Sequence, residues 1–510
     1  GERPRVWAGG GPPPRDHHRQ RLAGLLIGRP DLQAGGWPGA ELRGRPRPLR
    51  PRPSRPLRRR GDPRAHGHRR AADRAAALDL WNWAEVGYQE EQSSARLQKE
   101  LREAGFRITA GVADMPTAFV AEYGSGQPVI AILAEMDALP GVSQAAVPDR
   151  SPLKGRISGH ACGHHLFGAG STSAAIAVKH WLQTQRRSGT IRLYGTPAEE
   201  GGAGKAYMVR AGLFNDVDVA LHWHAGDQNI VTNEPTLSNK SAKFRFTGIA
   251  AHAAGAPERG RSALDGVEAM NFMANLMREH VPQDARIHYI ITRGGDAPNV
   301  VPESAEVFYY VRHRNPLIMS EIFDRIVKTS EAAAVGTGTS VNHEVIHGAY
   351  SLLPNDALAS VVDDHLRQVG GVTYDANEQA FAEKLYTTLG KAALPLGSER
   401  EIQAPNSRGG YGSTDVGDVS WTVPTIGFRT ATWVPGTPAH SWQAVAAGGM
   451  SIGLKGMENA TKILTLTAVR LMQDAELIRS AKAEFEQRRG TDFKYVSVVG
   501  DRKPPLDYRR

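Results

Sequence analysis

The chain has 510 residues, 40% of them apolar and 23% charged, with 55 glycines and a single cysteine. That length exceeds what one ordinary core organises and predicts two or more domains, and the composition is that of a globular α/β protein. No apolar run approaches the roughly 18 to 20 residues that span a bilayer, so no membrane segment is expected. One cysteine excludes an intramolecular disulfide, which fits a reducing, cytoplasmic setting.

The net charge of +9 is unevenly placed. Residues 1–70 carry 18 arginines, no lysine and five acids (Glu2, Asp16, Asp31, Glu41, Asp62), or +13, leaving 9 − 13 = −4 for the other 440 residues. The same stretch holds 12 of the 32 prolines. It cannot bury enough apolar surface to fold and is expected to be disordered. A nucleic-acid-binding arm and a transit peptide are weaker readings than a dispensable extension, because proline breaks the helix a transit peptide needs. No nucleic-acid partner is expected.

Ordinary composition begins near Ala71. The segment 71–105 has helical spacing at Leu80, Trp83, Ala84, Leu97 and Leu101 and stops at Gly105. "TAFVAEYG" and "PVIAILAEMDALPG" predict strands, the second a continuous apolar run of the buried parallel kind. "TSAAIAVKHWLQTQ" predicts a helix rich in small residues. "GTIRLYGTPAEEGG" and "DVDVALHWHAG" predict two more strands, with a helix over "GKAYMVRAGLF" between them. Strands alternating with helices predict a mostly parallel, doubly wound sheet. From Ser241 the order changes to β-α-β-β-α-β, the pattern of a ferredoxin-like α+β domain, placed at 236–348. The catalytic domain would thus comprise 71–235 and 349–490, with "DVSWTVPTIGF" as a strand, a long closing helix from Ser451, and a C-terminal tail at 491–510.

Each apolar strand of the first domain ends in groups that can ligate: Glu135 and Asp137, then Glu199 and Glu200, then His222 and His224. Open α/β sheets bind ligands beyond the carboxyl ends of their strands. The stretch "SGHACGHHLFG" (158–168) adds the only cysteine and three histidines just before a helix. Cys162-Gly163-His164 lets a thiolate and an imidazole two residues apart turn toward one ion, with glycine permitting the tight backbone. Singly, Cys162 reads as a buried small hydrophobe and Glu199-Glu200 as a solvated turn. Together, four segments converge on a metal site. Neighbouring strand residues face opposite ways, so one of the two glutamates can bind metal while the other reaches a water. Only one of His222 and His224 need take part.

The motifs "GHACGHH", "TPAEEGG", "DVDVALHWH", "GIAAHAAGAPERGRSALDGV" and "STDVGDVSW…GTPAHSWQ" together resemble the M20 metallopeptidase clan in its amidohydrolase branch, over about residues 75–490. The resemblance implies two divalent ions, zinc or manganese, held by Cys162, His164, Glu200, His224 and His440. It implies Glu199 as general base, Asp137 as the acid orienting a ligand, and His252 of the inserted dimerisation or lid domain as a group lent to a partner's active site. Asn299 matches a position near the substrate carbonyl or carboxylate, and Arg312 reads either as a cation for an acidic substrate end or as a surface strand arginine. The implied activity is cleavage of an N-acyl amino acid of the aminobenzoyl-glutamate type by a metal-activated water, in a homodimer or a heterodimer with a homologous subunit. A dipeptidase, another N-acyl-amine hydrolase and a catalytically silent partner of the same fold are the alternatives. His165 stands where the branch usually has Asp or Asn, and could add a ligand. Glu135 stands where the wider clan has a histidine.

Overall fold

The structure, a computed structural model, describes residues 63–405 and 412–509. Nearly all of the arginine- and proline-rich stretch therefore lies outside the described residues. In chain order come α1 (Pro63–Trp83), α2 (Glu91–Glu103), β1 (Arg107–Ala110), β2 (Phe119–Ser125), β3 (Val129–Glu135) and the two-residue strands β4 (Leu139–Pro140) and β5 (Ser158–Gly159). Then follow α3 (His164–Gln185), β6 (Gly189–Thr196), α4 (Gly204–Arg210), β7 (Val219–Leu221), β8 (His224–Gly226) and β9 (Ile230–Thr232). The inserted segment contributes β10 (Ser238–Thr247), α5 (Ala263–Met277), β11 (Arg286–Arg293), β12 (Ser304–His313), α6 (Pro316–Thr337) and β13 (Ser340–Ala349). The chain closes with α7 (Asp356–Val369), α8 (Ala376–Tyr386), α9 (Val416–Ser420), β14 (Thr425–Ala431), α10 (Trp442–Gly448), α11 (Ser451–Gln473) and α12 (Ala475–Arg489).

The large sheet has eight strands in the order β1-β2-β6-β3-β7-β14-β8, with β9 also on β14. Its centre is parallel, β6-β3-β7-β14-β8, and antiparallel pairs β1-β2 and β2-β6 finish one edge. All seven residues of β3 are buried, which is why that run is apolar without alternation. The small residues of α3 let it lie directly on the end of this strand: a Cβ on Gly168 would sit 2.7 Å from the Glu135 carbonyl oxygen. The second sheet, β11-β12-β10-β13, is wholly antiparallel, and its chain order β10-α5-β11-β12-α6-β13 is the expected ferredoxin-like one.

Local differences from the sequence expectation have physical causes. The helical segment after Ala71 is two helices, and α1 already begins at Pro63. Ala84 and Tyr88 take positive φ, and the Glu85 carboxylate caps α2 by accepting from Gln92 N (3.0 Å) and Ser93 N (2.8 Å). The closing helix likewise breaks at Asp474, whose carboxylate caps α12 through Leu477 N at 3.1 Å. The strand expected over 418–428 begins only at Thr425: its first residues belong to a helical turn, Val416–Ser420, with two buried acids, Asp415 just before it and Asp418 within it. Residues 491–509, expected as a tail, pack on the body: Val498 and Val499 are buried, and Arg502 pairs with Glu344 of β13.

Candidate metal centre

The centre is built at the carboxyl ends of the parallel strands. Gly163 takes φ +77 at the start of α3, and a Cβ there would come within 2.3 Å of Ala225 Cβ on β8. Only glycine lets this turn press against β8, and it brings the Cys162 thiol within 3.5 Å of His224 Nε2. His164, on the first turn of α3, is fully buried between two carboxylates. Its Nδ1 lies 2.9 Å from Asp137 Oδ1, and its Nε2 3.0 Å from Glu135 Oε2. Asp137 does double duty, since its Oδ2 also accepts from Glu200 N at 2.9 Å.

Glu199 and Glu200 sit on a tight loop after β6. Ala198 and Ala203, which flank it, both take φ +56, a conformation that costs about 1–3 kcal/mol and persists only where surroundings enforce it. The enforcement is visible. Ala198 N donates to the buried Glu90 carboxylate (2.8 Å), and Tyr88 donates to the Gly202 carbonyl (2.7 Å). From the far end of the chain, Tyr508 (3.2 Å) and Arg509 (2.5 Å) donate to the Glu200 carbonyl. His440 reaches in from the loop before α10, with Nε2 3.4 Å from Glu200 Oε1.

Three donor groups result, each with ligating atoms within 4.8 Å of one another: Cys162-His164-His224, Cys162-Glu200-His440, and Glu135-His164-Glu199. Cys162 is common to the first two. Several inward atoms make no well-aligned hydrogen bond: Glu135 Oε2 and His164 Nε2 meet only each other, at 3.0 Å, and Glu200 Oε1 meets His440 Nε2 at 3.4 Å. Buried polar atoms are normally satisfied, so these are donors awaiting a cation. The electrostatics agree. Five acids (Glu135, Asp137, Glu199, Glu200, Asp415) and a thiol face one ammonium, that of Lys205, which contacts Glu135 and Asp415 at 2.7 Å each. Burial alone would depress His164, but Glu135, Cys162 and Asp137 hold it well above the ordinary imidazole range. Burial, then Glu135 and Glu200, push the Glu199 carboxyl well up, and burial with Glu200 pushes the Cys162 thiol up. The residues fit divalent cations: a soft thiolate, two imidazoles in the first group, and hard carboxylates in the others.

The remaining predicted residues divide. His222 is buried with Nε2 unpartnered, packed on Gly427, and belongs to none of the three donor groups; His224 takes that place. His165 turns away: its Nε2 lies 3.0 Å from the Gly448 carbonyl and its ring stacks near His160. Arg312 lines the cleft of about 490 Å³ above the centre. His252 and Asn299 do not. Both are exposed on the inserted domain, adjoining each other through Ala253 N to the Asn299 carbonyl (3.0 Å). His252 Nδ1 accepts from Ala254 N and Gly255 N, which puts the ring proton of the neutral form on Nε2.

Sequence reasoning missed five contributors, Lys205, Asp415, Arg429, Tyr508 and Arg509. Lys205 stands 210 positions from Asp415, and only the fold joins them. Arg429 lines the cleft beside His224, its register partner across β14 and β8. Tyr508 and Arg509 lie in what read as a tail. The one available signal was a charged residue set among small ones, in "GGAGK".

A parallel-sheet edge gathering thiol, imidazole and carboxylate donors above a cleft defines a metallohydrolase. The chain belongs to peptidase family M20/M25/M40, whose model matches residues 131–445. It is 40% identical over 447 residues to one of the subunits of p-aminobenzoyl-glutamate hydrolase from Escherichia coli, covering 82% of this chain and 93% of that one. It is 28% identical over 434 residues to mouse Xaa-Arg dipeptidase, covering 82% and 90%. A Bacillus subtilis structure described as a dinuclear metal-binding peptidase of the M20 family shares the fold with a TM-score of 0.55 at 18% identity, covering 80% of this chain and 99% of that one.

Proposed function

We propose that this chain hydrolyses the amide bond of an N-acyl amino acid of the aminobenzoyl-glutamate kind, with two divalent ions at the Cys162-centred groups. The observation that carries the reading is the pair of donor groups sharing Cys162 at the foot of one cleft, with Glu199 beside them. When bound, the ions supply Lewis-acid polarisation of the carbonyl and acidify a water.

The chain's own residues do the rest. His164, His224, His440, Glu200 and Cys162 hold the ions, and Asp137 fixes His164 through Nδ1. Glu199 accepts a proton from the attacking water and returns it to the leaving nitrogen, a role suited to a carboxyl that burial and its acidic neighbours hold above the usual carboxylate range. Arg312 offers a cation to an acidic substrate end. A thiol ligand favours zinc, and the carboxylates admit manganese. A free thiol at the centre suits a reducing, cytoplasmic setting.

The inserted domain, about 236–348, serves for dimerisation. Its edge strand β11 exposes Ile290 and Ile291, and α5 exposes Phe272 and Leu276, apolar surface suited to a second protomer. Such a partner, a copy or a homologue, would receive His252 Nε2 and Asn299 as donors to the developing oxyanion.

The test is elemental analysis of the purified protein with hydrolysis of p-aminobenzoyl-glutamate before and after chelation. We expect about two ions per chain, activity that chelation abolishes and metal restores, and a Glu199→Gln variant that keeps its metal while losing about 10²- to 10⁴-fold in kcat. Unchanged turnover in that variant, or a protein that binds no metal, removes the reading.

A further inference from the structure

The walls of the cleft each carry a guanidinium without an acid. On the inserted domain, Arg312 of β12 donates to Ser413 Oγ at 3.1 Å and lies 5.2 Å from the centre of the Tyr310 ring. On the large sheet, Arg429 of β14 is half-buried and its guanidinium forms no hydrogen bond or ion pair with any described residue. Its stem crosses Gly226, where a Cβ would meet the Arg429 Cδ at 3.3 Å. Its electrostatic neighbours are His222, His224 and Asp227, and the Asp227 carboxylate is turned to Gly436 N at 3.2 Å. Outside the metal floor the cleft holds one acid, Glu234, which accepts from Asn233 N at 3.1 Å.

Several other half-buried arginines have partners, acids for Arg192 and Arg245 and backbone carbonyls for Arg156 and Arg314. Arg192 binds Glu122 and Asp216, and Arg245 binds Glu306 and Glu344. A half-buried guanidinium left single beside a catalytic floor is a recognition group, since its planar fork matches a carboxylate.

Resting on the amide hydrolysis proposed above, in which Arg312 already serves an acidic substrate end, we propose that Arg429 is the second recognition cation, so that the site selects a dicarboxylic leaving amino acid with its α-carboxylate on Arg429 and its side-chain carboxylate on Arg312. The assignment follows from position. The α-carboxylate carbon is two bonds from the scissile nitrogen, so its partner must adjoin the metal floor, and Arg429 is the register partner of His224. Arg312 stands on the other wall, where a glutamate side chain extends. Two unpaired guanidinium groups also repel a cationic leaving group, which separates this site from one that releases arginine.

The experiment uses the metal-loaded full-length protein and four p-aminobenzoyl derivatives: of glutamate, glutamine, glutamate α-amide and arginine. Each lost charge-assisted contact is expected to lower kcat/KM by about 10- to 100-fold in the unmodified protein. Arg429→Met should collapse the preference for glutamate over its α-amide and leave the preference for glutamate over glutamine. Arg312→Met should do the reverse. Metal content of each variant reports an intact centre independently of turnover, and Arg429→Gln, which keeps a polar stem over Gly226 without the charge, replaces the Met variant should that one lose its metal. An unmodified protein that prefers the arginine or glutamine derivative overturns the inference while leaving the hydrolase reading standing. So does an Arg429 variant whose glutamate-to-α-amide ratio is unchanged. Failure of the metal-loaded protein on all four derivatives sinks both.

Discussion

Replacing Lys205 with methionine should be among the most damaging single changes to the metal-free protein. Its side chain is fully buried, with Nζ 2.7 Å from Glu135 Oε1 and 2.7 Å from Asp415 Oδ1, and its backbone N donates to Asp415 Oδ2 at 2.9 Å. At an effective dielectric of about 20, each contact is worth about 6 kcal/mol of Coulomb energy, largely offset by the cost of burying the charges. Methionine fills the volume but leaves two carboxylates without their cation, and breaking such a pair costs about 3–5 kcal/mol. The assay is urea unfolding of the chelated protein at pH 7 and pH 5. Orphaned carboxyls have folded pKa values above their unfolded ones, so they take up protons as pH falls and the deficit must shrink at pH 5. Adding Asp415→Asn should recover about 2 kcal/mol, because one of the two stranded charges is then gone. A single variant within about 1 kcal/mol of the parent, or a double variant whose losses simply add, would refute the claim that Lys205 is the counter-ion of this site.

Metal uptake at neutral pH should release at least two protons per chain, because the Cys162 thiol and His164 are both held protonated and must both ligate deprotonated; calorimetry in buffers of different ionisation enthalpy counts them, and zero release contradicts the assignment. Asp418, accepting from Tyr495 and from Tyr350 N, is pushed by burial to about 7 from 3.8. Its protonated form therefore stabilises the fold fully below pH 4, and over 7 − 3.8 = 3.2 units that contribution, on the order of 4 kcal/mol, is lost as pH rises to 7. Asp418→Asn should flatten that decline in the urea midpoint, and an unaltered slope would count against the raised carboxyl. Ending the chain after Asp507 removes both donors to the Glu200 carbonyl, and should cost about tenfold in kcat with a melting temperature lowered by no more than a few degrees; unchanged kcat would make those contacts incidental.

What the sequence disclosed and what it hid follow from range. The order of strands, the ferredoxin-like insertion and the pairing of Cys162 with His164 are local signals: an apolar run, a period, a glycine between two ligands. The choice of His224 over His222 was not local. It depends on β7 stopping at Leu221 and β8 starting at His224, so that His222 packs on Gly427 of β14 while His224 faces the thiol. The misread elements fail in the same way. The run 418–428 reads as one strand, but its start is drawn into a helical turn where Asp415 is claimed by Lys205 and Asp418 by Tyr350 and Tyr495, which no window of the sequence contains.

That the distant contributors converge on one loop has a consequence for how the centre works. Glu90, Tyr88, Asp137, Tyr508 and Arg509 come from the first hundred residues, the middle and the last two described residues, and all hold the backbone from Ala198 to Gly202. The loop carries the proposed base and a proposed ligand as neighbours, so a rotation that improves one worsens the other. Positive φ at Ala198 and Ala203 is the local cost of presenting both side chains inward. Five clamps on three of the loop's five residues make that conformation the one the surroundings enforce, and the proposed base is therefore in place before substrate or metal arrives. The strap formed by 491–509 ties this loop to β13 through Arg502 and Glu344, so the wall that bears Arg312 and the loop that bears Glu199 share one tether.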